Sequence, residues 1–242
     1  MKNAQELLTA VTQGTITAID LGHFAPLKRK EIVDIAKALE TNTSVTSLDF
    51  NATRGDSTIF AAFAEALKKN STVKSVNLFD AQMDGEDMAV IIDAMKVNKG
   101  VTSLNIGRNY LVDDTAETVA DMLKANNTLV TLGLAANHIG DRGMTAIAGA
   151  LKTNATLQAL DVSYGLSLGE KGTRLFADTL QTYTTLVKLD LWNSITGDPA
   201  TRDLNNQLIA NWNKANAAEQ KPLIAPPAPA APAKKAGFKW FG

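Results

Sequence analysis

His23 and His138 are the only histidines in the chain, and imidazole is the side chain best suited to moving a proton or holding a metal near neutral pH. They fall in the first and fifth of a series of repeated strand units, so at about 4.8 Å per strand they stand roughly 19 Å apart and cannot share an ion. Cysteine is absent, which removes disulfides, thiolate metal sites and cysteine nucleophiles and fits a reducing compartment. Serine and threonine are plentiful, but no histidine is placed to activate one as a nucleophile. Gly165 to Thr173, GLSLGEKGT, has the residue types of a phosphate loop without the GxxxxGK[ST] spacing, and a turn accounts for it better. Asp113 and Asp114 are better placed to start a helix than to hold a metal. Five N-x-[ST] sequons begin at Asn42, Asn51, Asn70, Asn126 and Asn154. Four lie where a helix stops ahead of a strand, a place asparagine and threonine favour for backbone reasons. No catalytic residue, metal site or cofactor is expected, and the chain is not expected to be an enzyme.

These residues sit on a repeat, stated most clearly by LVTLGLAANHIGDRGMTAIAGALKTNATL, Leu129 to Leu157. Leu129, Leu132 and Leu134 alternate as in a strand with one buried face, and Ile147, Ala148, Ala150 and Leu151 have helical spacing. The strand triplet recurs as Ile16/Ile19/Leu21, Val45/Leu48/Phe50, Val73/Val76/Leu78, Val101/Leu104/Ile106, Leu157/Leu160/Val162 and Leu186/Leu189/Leu191, at spacings of 28 or 29 residues. A helical register keeps the same period through Leu39, Leu67, Met95, Leu123, Leu151 and Leu180. Each helix stops at Asn42, Asn70, Asn98, Asn126, Asn154 or Tyr183, and Asp56, Asp84, Asp113 and Asp141 are expected just ahead of the helices, where a carboxylate caps free amides and suits the positive end of the helix dipole. One such unit cannot bury its own apolar face and is stable only when stacked on copies of itself.

The stack needs closing at both ends. Residues 3–13, with Asn3 as N-cap and Gly14 as stop, predict an N-terminal helical cap, and 203–217, with Leu204, Leu208, Ile209 and Trp212 on one face, a C-terminal one. Residues 1–220 are therefore expected to form one solenoid domain and 221–242 a disordered tail. Five of the seven prolines lie in that tail, so 222–233 predict an extended spacer reaching on the order of 35 Å. It ends in Lys234, Lys235, Phe238, Lys239, Trp240 and Phe241, a basic and aromatic tip of the kind found in short linear motifs. The formal charge of −1 hides an asymmetry: the tail holds four lysines and no acid, and the other 20 basic and 25 acidic side chains leave the body at −5. That balance argues against nucleic-acid binding by the body. No stretch resembles a signal peptide or a membrane span, so a cytoplasmic protein is expected.

The pattern LxxLxLxxNxI, in LVTLGLAANHI and VTSLNIGRNYL, joined to helices ending in LKxNxTL, resembles the leucine-rich repeats of the ribonuclease-inhibitor type, and most of all the tropomodulin and leiomodin repeat domains. The resemblance implies an α/β fold, a right-handed horseshoe solenoid with a parallel sheet of about seven strands on the concave face and helices on the convex face. It also implies a monomeric binding scaffold, with regulation of the actin cytoskeleton as one alternative. Regulation of a small GTPase is another, since GTPase-activating proteins of Ran share the repeat type and Arg108 and Asn109 form a loosely comparable turn pair. The family's turn asparagine is present only as Asn109 and Asn137, with Thr53, Ala81, Gly165 and Ser194 in its place elsewhere.

In such a solenoid the residues between the inward leucines face the concave side and stack in columns. The first column is Asp20, Asp49, Asn77, Asn105, Gly133, Asp161 and Asp190; the second contains Phe79 and Trp192; the third contains His23, Asp80, Arg108 and Tyr164. A protein partner is expected on Asp49, Asn77, Phe79, Asp80, Asn105, Arg108, Asp161, Tyr164, Asp190 and Trp192, with Tyr164 and Trp192 as aromatic anchors. The lysines of the tail tip are expected to be drawn to the acidic column.

Overall fold

The structure is a computed structural model. It describes residues 3–22, 28–53 and 57–164, together with 166–167, 175, 178–179, 185–186 and 188–190. Helices α1 (Ala4–Gln13), α2 (Arg29–Leu39), α3 (Ser57–Lys69), α4 (Gly85–Val97), α5 (Asp113–Ala125) and α6 (Asp141–Leu151) alternate with three-residue strands β1 (Ala18–Asp20), β2 (Ser47–Asp49), β3 (Ser75–Asn77), β4 (Ser103–Asn105), β5 (Thr131–Gly133), β7 (Ala159–Asp161) and β9 (Lys188–Asp190). Two short strands, β6 (Ile139–Gly140) and β8 (Leu166–Ser167), pair separately.

The seven main strands form one parallel sheet in the order β1-β2-β3-β4-β5-β7-β9. Each pairs residue for residue with its counterpart one repeat away, as in Leu104↔Leu132 and Leu132↔Leu160. The middle residue of every main strand, Ile19 through Leu189, is buried, and its neighbours on either side point away from the core. Behind the sheet the helices pack on one another in sequence order. Their apolar faces supply Ile35, Leu39, Phe63, Leu67, Ile92, Leu123, Ile147 and Leu151 to a single continuous core. Phe50, just beyond β2, meets Phe63 of α3 edge to face at 4.6 Å, a geometry that aromatic quadrupoles favour. Burying each such large side chain contributes about 2 kcal/mol against exposure, and since no unit does so without its neighbours, stability belongs to the stack. The architecture is an α/β leucine-rich-repeat solenoid.

Helices α3, α4 and α5 stop immediately before Asn70, Asn98 and Asn126 as expected, whereas α2 and α6 end at Leu39 and Leu151, three residues ahead of Asn42 and Asn154. Asn3 Oδ1 accepts from the Glu6 amide at 2.9 Å, and Gly14 takes the left-handed φ of 67° that closes α1. Asp84 caps α4. Asp113 does something else: it is the first residue of α5, but its Oδ1 accepts from the amides of Gly140 and Gly143 at 2.7 and 3.0 Å, and so caps α6 in the following unit. Gly143 permits the close approach, because a β-carbon there would lie 2.7 Å from Ala116 Cβ.

The asparagines expected to stop helices form a ladder between units. Asn98 Nδ2 donates to the carbonyls of Leu67 and Asn70, at 2.5 and 2.9 Å, and its Oδ1 accepts from the amides of Gly100 and Val101, at 2.8 and 2.7 Å. Asn70, Asn126 and Asn154 repeat the arrangement 28 residues apart, each tying its own turn to the helix end of the unit before. These four side chains are buried, so the sequons that begin at Asn70, Asn126 and Asn154 are closed to a glycan. The C-terminal helix expected over 203–217 and the tail, 221–242, lie outside the described residues.

Candidate functional site

The face of the sheet turned away from the helices is the candidate site. All of its flanking strand residues are half-buried or exposed. Its first column carries a structural duty that amino-acid type alone did not disclose. The side-chain Oδ1 atoms of Asp20, Asp49, Asn77, Asn105 and Asp161 accept from the backbone amides of Gly22, Asn51, Phe79, Gly107 and Ser163, two residues on, at 2.8 to 3.2 Å. These are Asx turns that end each strand. Asn77 Nδ2 also donates to Asp49 Oδ1 at 3.0 Å, joining two members of the column. At each end, carboxylates stand directly opposite one another in register, Asp20 with Asp49 and Asp161 with Asp190.

Gly133 interrupts the column. A β-carbon there would lie 2.7 Å from Asn105 Oδ1, and its absence leaves a hollow of about 240 Å³ on the sheet, lined by Ser103, Asn105, Thr131, Gly133, Asp161 and Lys188 among others. Ser103, Thr131 and Lys188 belong to a further column, Ala18, Ser47, Ser75, Ser103, Thr131, Ala159 and Lys188, one strand position earlier. The sequence-based selection passed over it because small hydroxylated residues carry no obvious chemistry. Its legible signal is that the residue before each Leu-x-Leu pair keeps the 28-residue period.

Beyond the strands the chain turns sharply. Ala52, Asp80, Arg108, Ala136 and Tyr164, all members of the third column, have positive φ of 54° to 59°. Their side chains therefore leave the sheet at its edge instead of continuing a strand. Arg108 is 59% exposed and pairs with Asp80 at 3.0 Å, so two expected partner residues satisfy each other across adjacent units. Phe79 is half-buried rather than an exposed aromatic, with its ring over Gly107, where a β-carbon would be 2.8 Å from Cδ2. Tyr164 is 53% exposed. Trp192, His23 and the tail residues Lys234, Lys235, Phe238, Lys239, Trp240 and Phe241 lie outside the described residues.

Asn109 and Asn137, the two turn asparagines, are buried at 4% and 1% exposure. Asn109 Nδ2 donates toward the carbonyls of Leu78, Ile106 and Gly107, while Asn137 Oδ1 accepts from the amides of Asn109 and Leu111. Asn109 is thus engaged within the turns of its own and the neighbouring units. Asp113 and Asp114 meet Arg142, as does Glu117 at 3.1 Å. The hydrogen bond that the guanidinium donates to Asp114, followed by the charge of Glu117, raises its pKa above the ordinary value. Among the described residues no group of three or more His, Cys, Asp or Glu side chains could hold a metal ion, and no helix is long and apolar enough to cross a membrane.

The TMOD/LMOD leucine-rich domain model matches residues 81–213. Three solved structures are similar. Actin-binding site 2 of leiomodin-1 is 22% identical, over 89% of this chain and 92% of that one, with a TM-score of 0.40. The tropomodulin C-terminal domain of Caenorhabditis elegans is 10% identical, over 69% of this chain and 98% of that one, with a TM-score of 0.55. The leucine-rich-repeat protein LegL7 of Legionella pneumophila is 14% identical, over 86% and 77%, with a TM-score of 0.47. No curated protein sequence matches. The tropomodulin domain shares the fold built up above from strand register and helix packing. Since the family match spans more than half of the sequence, the chain belongs to the tropomodulin and leiomodin leucine-rich-domain family.

Proposed function

We propose that this chain is a non-enzymatic binding domain that takes a protein partner on the concave face of its sheet, in a cytoplasmic setting. The observation that carries the proposal is the open hollow over Gly133, with Asn105, Asp161 and Lys188 at its margin. It offers a seat for a side chain next to both signs of charge, Asp161 and Lys188. The carboxylates of the first column favour a guest that brings positive charge. Tyr164, at the edge of this face, and Trp192, one repeat further on, are the proposed anchors, since exposed aromatics carry a large share of interface energy.

Family membership favours a more specific reading, actin as the partner. The leiomodin-1 structure is named for its actin-binding site, and a role in the actin cytoskeleton would place this chain beside it. Co-sedimentation of the full chain with filamentous actin tests that reading, and failure to pellet above the actin-free control would dismiss it. The broader proposal is tested by capture from cell extract with the full chain and with a Tyr164→Ala/Trp192→Ala variant. Loss of the captured proteins at unchanged melting temperature is expected. Identical capture by both chains would count against the concave face.

A further inference from the structure

The turn edge of units four and five carries an exposed apolar patch that the concave face does not use. Tyr110 and Val112, 66% and 48% exposed, are two of four exposed large apolar side chains among the described residues, and they occupy a single turn. The Tyr110 ring stacks on His138 of the next unit, with centroids 6.0 Å apart and planes 20° from parallel. Tyr110 also holds a left-handed φ of 58°, a conformation costly for an aromatic residue. The two turns that present the patch are those locked from beneath by buried Asn109 and Asn137, so the platform is rigid. Beside it Asp113, Asp114 and Glu117 outnumber their shared cation, Arg142, leaving a net negative rim.

We propose that this edge is the docking seat for the chain's own C-terminal tip, Lys234 to Phe241. The chemistry of the two is complementary: the tip combines Phe238, Trp240 and Phe241 with three lysines and no acid, to set against an aromatic and aliphatic patch with an acidic rim. The chain is long enough, since 52 residues follow Asp190. At about 3.1 Å per residue the proline-rich stretch 222–233 spans roughly 37 Å, against roughly 14 Å for the three strand spacings between β9 and β4. The acidic concave column is the weaker seat for the same tip. Its carboxylates already hold the strand-end turns, and Phe79, in the column beside it, is half-buried over a neighbouring unit.

Zero-length carbodiimide coupling of the dilute full chain, read by peptide mass spectrometry, tests this directly. Lys234, Lys235 or Lys239 should couple to Asp113, Asp114 or Glu117 within one chain. A mixture of isotope-labelled and unlabelled chains separates those links from links between two copies. A Tyr110→Asn/Val112→Ser variant should lose the links at least tenfold, as should Trp240→Ala/Phe241→Ala with every lysine kept. Asparagine tolerates the left-handed backbone and serine suits the N-cap position, so the first variant folds, and its circular dichroism and melting temperature verify it. Coupling of the tip to Asp49, Asp161 or Asp190, coupling only between copies, no coupling of the tip at all, or rim links undiminished in both variants would each overturn the proposal.

Discussion

At the scale of single residues, the asparagines before each strand decide more than their composition suggests. Asn98 is 2% exposed and its amide satisfies two backbone carbonyls and two backbone amides. Asn98→Ala should cost about 3 kcal/mol, because it strands buried backbone groups that water cannot reach, measured as a lower midpoint in urea unfolding. Asn98→Asp should cost more than alanine at neutral pH, since a buried carboxylate would face the Leu67 and Asn70 carbonyls. Protonation restores a donor, so the Asp variant should regain part of the loss as pH falls, a trend the alanine variant must not share. The sequence showed that an asparagine recurs every 28 residues but not that it reaches back to the preceding unit. A side chain's spacing is legible where its hydrogen-bond partners, 28 and 31 residues away, are not.

At the scale of elements, apolar periodicity placed the helices and strands because burial on one face is what that periodicity encodes. Caps were harder to assign. Asp84 serves its own helix as its position suggests, whereas Asp113, at a similar place in the next unit, serves α6. Nothing local distinguishes the two, and the difference arises because Gly143 lets α6 settle close to α5. Asp113→Ala should therefore cost about 1 to 2 kcal/mol through loss of a cap on α6, with amide exchange speeding up at 140–143 rather than at 113–116. Val112 holds the N-cap position of α5 without a capping side chain, so Val112→Ser should stabilise the chain by about 1 kcal/mol in thermal unfolding. The concave columns were legible as columns, but a left-handed bend at Ala52, Asp80, Arg108, Ala136 and Tyr164 takes the third of them off the sheet. Four of those five residues are neither glycine nor asparagine nor aspartate, so their types do not announce that backbone.

At the scale of the whole molecule, stability runs from neighbour to neighbour, and the surface left over is a sheet face lined with hydroxyls, amides and carboxylates around a hollow at Gly133. The central claim is that this face, and not the helical back, meets the partner. Thr131 is exposed at the lip of the hollow, and Thr131→Trp would fill it while suiting a strand. On the back, the exposed pair Asp121 and Lys124 gives a matched control as Asp121→Ala/Lys124→Ala. The decisive measurement compares the proteins captured from one cell extract by the full chain, by Thr131→Trp and by the helical-face variant, with all three confirmed folded. The account predicts that Thr131→Trp reduces capture at least tenfold while the helical-face variant captures as the parent does. Undiminished capture by Thr131→Trp, or loss confined to the helical-face variant, would contradict it.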